Sequence, residues 1–169
     1  MDAISLSTSL PATPRRVYQA WLDSEGHSAF TGAEAELEPR VGGRHRAWDG
    51  YISGRILELE ENRRIVMTWR TTEFPPGSPD SRVEMILEPV KGGTRFTLLH
   101  SQIPPGDGPK YDEGWRENYF EPMRSYFRKK GGAISRKTAG KRSAKRARAK
   151  ERPGRKRTPP ARRGRRRNP

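Results

Sequence analysis

The run RVEMILEPVKGGTRFTLLH, residues 82–100, decides the fold. Its first half alternates, with Val83, Met85 and Leu87 on one face. Its second half takes up the same period, with Phe96, Leu98 and His100 on one face. Successive side chains of a strand point to opposite sides, so a period of two predicts two strands with one buried face each. Gly92-Gly93 between them predicts a hairpin turn.

Working toward the N-terminus, more strand-like pieces appear, punctuated by turn residues. Arg64 to Thr71 is one, ahead of a loop rich in Pro, Gly and Ser at 74–81. Tyr51 to Glu60, Arg44 to Trp48 and Ala33 to Glu38 are others, set off by Glu61-Asn62, Gly50 and Gly42-Gly43. Residues 3–9 alternate and predict a first strand. Thr13-Pro14 predicts a capped helix start, and Val17, Tyr18, Trp21 and Leu22 follow at helical spacing over 14–22. Ser24 to Phe30 predicts a short second helix. Toward the C-terminus the period changes after the loop at 104–109. Trp115, Tyr119, Met123 and Tyr126 recur every three or four residues, which predicts a longer helix with an aromatic stripe. Pro122 inside it predicts a kink or a shortening. Strand, helix pair, strands, then one terminal helix is the order of an α+β fold with a helix packed on a curved antiparallel sheet.

Charge divides the 169 residues differently. From Lys129 to Pro169 there are 19 Lys+Arg and one acid, Glu151, a net of +18; the first 128 residues carry 16 Lys+Arg and 19 acids, a net of −3. All 14 aromatic residues lie between Tyr18 and Phe127. Residues 1–128 therefore read as one folding domain, and 129–169 as a basic tail with too little apolar surface to offset the entropy of ordering. A charge split of this kind points to an anionic polymer as partner. The cations Lys145, Arg146, Arg148, Lys150, Arg155, Lys156, Arg157, Arg162, Arg163, Arg165, Arg166 and Arg167 are the candidate contacts to nucleic acid. Arginine forks match phosphate, and such contacts release counterions without reading sequence. No tail aromatic is present to stack on bases, which favours a duplex or structured RNA over single strands.

Other chemistry is thin. The chain has no cysteine, which removes disulfides, thiolate nucleophiles and the common structural zinc sites. Its three histidines form no HxxxH or HExxH pair, and no phosphate loop or GxSxG elbow appears. Glu34, Glu36 and Glu38 read as a solvated strand face, not a cation site. His45, between Arg44 and Arg46, reads as a rim residue, and His27 shows no partner. No metal, cofactor or catalytic residue is expected. The N-terminus has no basic segment and no long apolar stretch, so the reading is a soluble, cytoplasmic protein without a membrane span, its tail suited to a nucleoid.

The domain resembles the SRPBCC or START-like superfamily, in particular the branch named for the activator of the heat-shock-protein-90 ATPase. The stretches that carry the likeness are Val17 to Asp23, Val41-Gly42-Gly43, Gly54 to Leu59, Arg64 to Trp69, Gly93 to His100 and Gly114-Trp115. The resemblance covers residues 1 to about 128. It implies a helix-grip fold, with the terminal helix across a bent antiparallel sheet and a cavity for a small apolar ligand between them. Two departures are Phe30, where the family often has tryptophan, and Pro122 in the roofing helix. Trp48, Trp69, Trp115 and Tyr119 are then candidate walls, joined by Phe96, Leu98 and His100 on the inward strand face. His100 would orient a ligand, serve as an acid or base, or sit as a satisfied core histidine. The leading expectation is a non-enzymatic binding module for a small apolar ligand or a protein partner, tethered to nucleic acid by its tail. The alternatives are a pocket enzyme of the polyketide cyclase or hydrolase type, using His100 and Tyr119, and a co-chaperone-like ATPase activator.

Overall fold

A computed structural model of the chain describes residues 1–130. The tail cations named above lie outside the described residues. Seven strands form one curved antiparallel sheet: β1 (Asp2–Leu10), β2 (Glu36–Leu37), β3 (Arg44–Ala47), β4 (Ile52–Glu60), β5 (Arg64–Thr71), β6 (Ser81–Val90) and β7 (Gly93–Ile103). Their order across the sheet is β1-β7-β6-β5-β4-β3-β2. The chain therefore winds through neighbouring hairpins from β2 to β7, and β1 closes the far edge against β7.

The β6–β7 hairpin has the expected pairing, with Met85 opposite Leu98 and Leu87 opposite Phe96. Its turn sits one residue earlier than expected. Val90 pairs with Gly93, so Lys91-Gly92 is the loop, and Gly92 adopts φ 87°. Gly93 is already in the strand, packed so close to β1 that an added Cβ would lie 2.0 Å from Leu10 O. Val83, Met85, Leu87, Phe96, Leu98 and His100 are all buried on one side. Each large apolar side chain buried this way contributes about 1.5–3 kcal/mol. The segment expected as a strand over 33–38 forms only the two-residue β2. The Thr31 and Ser28 hydroxyls of the preceding helix bond the backbone of its first residues instead, at Ala33 and Ala35.

Helix α1 (Pro14–Leu22) begins at the Thr13 cap, whose oxygen accepts from Arg16 N–H at 3.4 Å. Asp23 ends α1 and starts α2 (Ser24–Thr31). Its N–H returns to Gln19 O at 3.0 Å, and its Oδ2 accepts from Gly26 N–H at 2.7 Å. The two helices bury Val17, Trp21, Leu22, His27 and Phe30.

The long C-terminal helix starts earlier than expected, as α3 (Gly108–Trp115). Asp2 Oδ2 fixes its entry by accepting from Gly106 N–H at 2.9 Å and Gly108 N–H at 3.0 Å. Pro122 has no N–H for the carbonyl four residues back. The helix answers with a π turn over Arg116–Phe120, in which Glu121 N–H reaches back to Arg116 O. It then continues over 121–130, so Pro122 does not shorten it. Trp115, Tyr119, Met123 and Phe127 all stay buried. Each step of four overshoots a 3.6-residue turn by about 40°, and the wider turn takes up part of that drift.

Candidate ligand pocket

The helix and the sheet leave a pocket of about 310 Å³ between them. One wall comes from the β3–β5 end of the sheet: Trp48, Tyr51, Ile52 and Trp69. The other comes from the first half of the long helix, led by Tyr111, Trp115 and Tyr119. These three recur at intervals of four and so share one helix face. Their rings pack on one another and on the sheet, with Trp115–Tyr119 centroids at 4.6 Å, Trp69–Tyr111 at 5.1 Å and Trp69–Trp115 at 5.7 Å. Such stiff aromatic walls suit a ligand held mainly by contact area.

Trp48 reaches the pocket from a strained turn. Both Trp48 and Asp49 adopt φ 54°, a left-handed conformation that costs a non-glycine residue about 1–3 kcal/mol. Hydrogen bonds hold the turn: Tyr51 N–H to Trp48 O at 3.0 Å, Asp49 N–H to Glu34 O at 3.2 Å, and Glu34 N–H to Asp49 Oδ1 at 3.1 Å. At the mouth, Tyr51 donates to Glu73 Oε2 at 3.0 Å, and Lys110 pairs with the same carboxylate. Tyr111 and Thr71 hydroxyls meet at 3.1 Å. Burial raises the pKa of Tyr111 and pushes that of Tyr119 well above the tyrosine range, so both remain phenols.

Of the seven pocket residues expected, Trp48, Trp69, Trp115 and Tyr119 line this space. Phe96, Leu98 and His100 lie behind it in the core, each at most 1% exposed. His100 is the centre of a closed chain of hydrogen bonds. Trp115 Nε1–H donates to His100 Nδ1 at 3.1 Å. An imidazole nitrogen that accepts carries no proton, so the neutral ring has its proton on Nε2. Nε2–H donates to Ser81 Oγ at 2.8 Å, and Ser81 Oγ–H donates to Trp69 O at 2.6 Å. Burial pulls the His100 pKa down to about 3. With both nitrogens engaged and the ring neutral, His100 positions Trp115 and Trp69 and offers no free base to the pocket.

The other two histidines depart from the sequence reading. His45 is buried, not at the rim, because strand alternation turns it inward while Arg44 and Arg46 face out. Its Nε2–H donates to Thr68 O at 2.8 Å. Gly54 makes room for it, since a Cβ there would stand 2.4 Å from His45 Nε2. His27 has a partner after all: its Nδ1–H donates to Trp21 O at 2.9 Å. Sequence reasoning also missed Tyr51, Tyr111 and the Glu73–Lys110 pair. Tyr111 lies four residues before Trp115, and that spacing was the available signal.

A bent antiparallel sheet gripped by a long helix, with a pocket between them, places the domain in the SRPBCC or START-like fold. The chain belongs to the family described as "Activator of Hsp90 ATPase homolog 1-like protein", which matches residues 11–128. It is 29% identical over 124 residues to the Homo sapiens protein named activator of 90 kDa heat shock protein ATPase homolog 1, covering 73% of this chain and 36% of that one. The chain thus spans about a third of the length of the curated relatives it matches. Among solved structures, an HSP90 activator from Plasmodium falciparum superposes with a TM-score of 0.68 at 22% identity, over 73% of this chain and 94% of that one. CalU16 from Micromonospora echinospora superposes at 0.64 with 26% identity, over 75% and 74%. Among the described residues no helix is long and apolar enough to cross a membrane.

Proposed function

We propose that the domain is a non-enzymatic binding module for a small, largely apolar and uncharged ligand held between sheet and helix. The aromatic pocket of about 310 Å³ carries this reading. Its volume falls at the lower end of the range for small-molecule sites. The neighbouring histidine is closed off by hydrogen bonds, which weighs against acid–base chemistry there. A neutral environment-sensitive dye, N-phenyl-1-naphthylamine, tests the reading, because an uncharged probe gains nothing from the basic tail. Saturable, one-to-one binding with a blue-shifted emission supports it. Absence of saturable binding up to the solubility of the dye refutes it.

The tail is assigned here to nucleic acid, on the strength of its 19 cations against one acid. Duplex DNA titrated with the full chain is expected to bind with a log-log salt slope of roughly −8, if about half of these cations touch phosphate. A chain ending at residue 130 is expected to lose that affinity. Equal binding by both forms would assign it to the domain instead.

The relatives favour a second reading, in which the domain docks on a 90 kDa heat-shock protein. A pull-down with that chaperone, followed by its ATPase rate with and without this chain, separates a protein partner from a ligand.

A further inference from the structure

Beside the pocket lies a second, smaller space of about 10 Å³, whose lining includes Trp21, His27, Ile52, Met67, Trp69 and Tyr119. On this measure one water-sized group needs roughly 10–15 Å³, so the space is on the scale of a single oxygen. It shares three wall residues with the pocket: Ile52, Trp69 and Tyr119. Two buried polar atoms on its lining residues find no partner among the described residues, Trp21 Nε1 and His27 Nε2. Both side chains are almost completely enclosed, at 2% and 3% exposed. Their rings meet edge to face at 4.9 Å between centroids.

The chemistry of the two atoms is complementary. An indole nitrogen only donates. His27 Nδ1 gives its proton to Trp21 O, so in the neutral ring Nε2 is a lone pair that only accepts. Leaving both unmet in a dry interior is costly. One group satisfies both at once: a hydroxyl, which accepts from Trp21 and donates to His27. A carboxylate would meet the indole but face the imidazole lone pair. The guanidinium of Arg46, a wall residue, is turned to the Gly50 turn, where an added Cβ would lie 2.7 Å from Arg46 Nη2.

The geometry points to a ligand class for the pocket: an apolar, aromatic-sized molecule carrying one neutral hydroxyl, which passes the Ile52, Trp69 and Tyr119 wall and bridges Trp21 Nε1 and His27 Nε2. This inference rests on the pocket being a ligand site. Three probes of one size separate the two ideas in calorimetric titrations of the full chain near neutral pH: 2-naphthol, naphthalene and 2-naphthoate. The expected result is 2-naphthol bound about tenfold or more tighter than naphthalene, and 2-naphthoate weaker than 2-naphthol. Equal affinity for 2-naphthol and naphthalene overturns the hydroxyl assignment while leaving the pocket intact, the outcome expected if a water alone fills the inner space. No binding by any probe overturns the pocket reading and this inference with it. His27→Asn supplies a second readout, because Asn retains a donor for Trp21 O and lacks the Nε2 acceptor. The preference for 2-naphthol over naphthalene is expected to fall toward one in this variant. An undiminished preference would show that His27 does not read the hydroxyl.

Discussion

His100 and His27 are both sealed inside the domain and both neutral, yet their surroundings differ in one respect. His100 has a partner on each nitrogen, Trp115 on one side and Ser81 on the other. His27 has one partner, Trp21 O, and one bare nitrogen. The first arrangement is finished: it locks two tryptophans of the pocket in place and leaves nothing for a ligand to bind. The second is open, and it sits one wall deeper than the pocket. The contrast separates a side chain that props the walls of the pocket from one left with an unmet acceptor.

Acid breaks both arrangements together and gives the largest expected effect. Burial lowers the His27 pKa to about 4 and the His100 pKa to about 3, against 6.5 for a free imidazole. Below pH 6.5 the unfolded chain takes up protons that the folded chain refuses, so this stability is complete above that pH and is lost as pH falls toward 4 and then 3. Between pH 7 and pH 5 the loss is about 2 kcal/mol per histidine, about 4 kcal/mol for the pair. Denaturant unfolding at the two pH values measures this loss together with that of His45, whose pKa burial also holds low, and imidazole resonances that do not titrate between pH 8 and pH 5 would confirm its origin.

Substitution then pulls the pair apart. His100→Leu leaves the Trp115 indole N–H unmet and strips Ser81 of a partner, at a cost of about 3 kcal/mol. His27→Leu gives up one hydrogen bond but removes an already bare nitrogen, and is expected to cost about 1 kcal/mol. Equal costs in chemical denaturation would mean that the two sites do not differ as described. The smallest effect is expected at Gly114→Ala. A Cβ there meets only Asn118 Nδ2 at 3.9 Å, so replacing this helical glycine should add about 0.5–1 kcal/mol of stability.

These distinctions were unevenly legible in the sequence. Residues 82–100 carried the hairpin because both strands alternate cleanly, and Thr13-Pro14 carried the start of α1 because cap and proline coincide. Trp48, Trp69, Trp115 and Tyr119 followed from their bulk and from the family resemblance. His45 was hidden by its charged neighbours, although the alternation Arg44-His45-Arg46-Ala47 holds the correct answer. Phe96, Leu98 and His100 share the inward face, but the ring of Trp115 stands between His100 and the pocket at 6.0 Å between centroids. A strand period tells which face a residue takes and not what stands in front of it. The π turn was illegible for a related reason: Pro122 announces a missing hydrogen bond, and the way the helix absorbs it depends on the buried stripe it must keep.

The central claim is that the space between the helix and the sheet holds a ligand. Gly114 lines that space, and beyond its own helical backbone an added Cβ would meet only Asn118 Nδ2 at 3.9 Å, so Gly114→Leu should fill the pocket without disturbing the fold. The decisive measurement is N-phenyl-1-naphthylamine titration of the native chain and of Gly114→Leu, with thermal melts of both. The account predicts at least a tenfold loss of dye affinity in a variant that melts no lower than the native chain. Undiminished dye binding by a fully folded Gly114→Leu would place the dye elsewhere and contradict it.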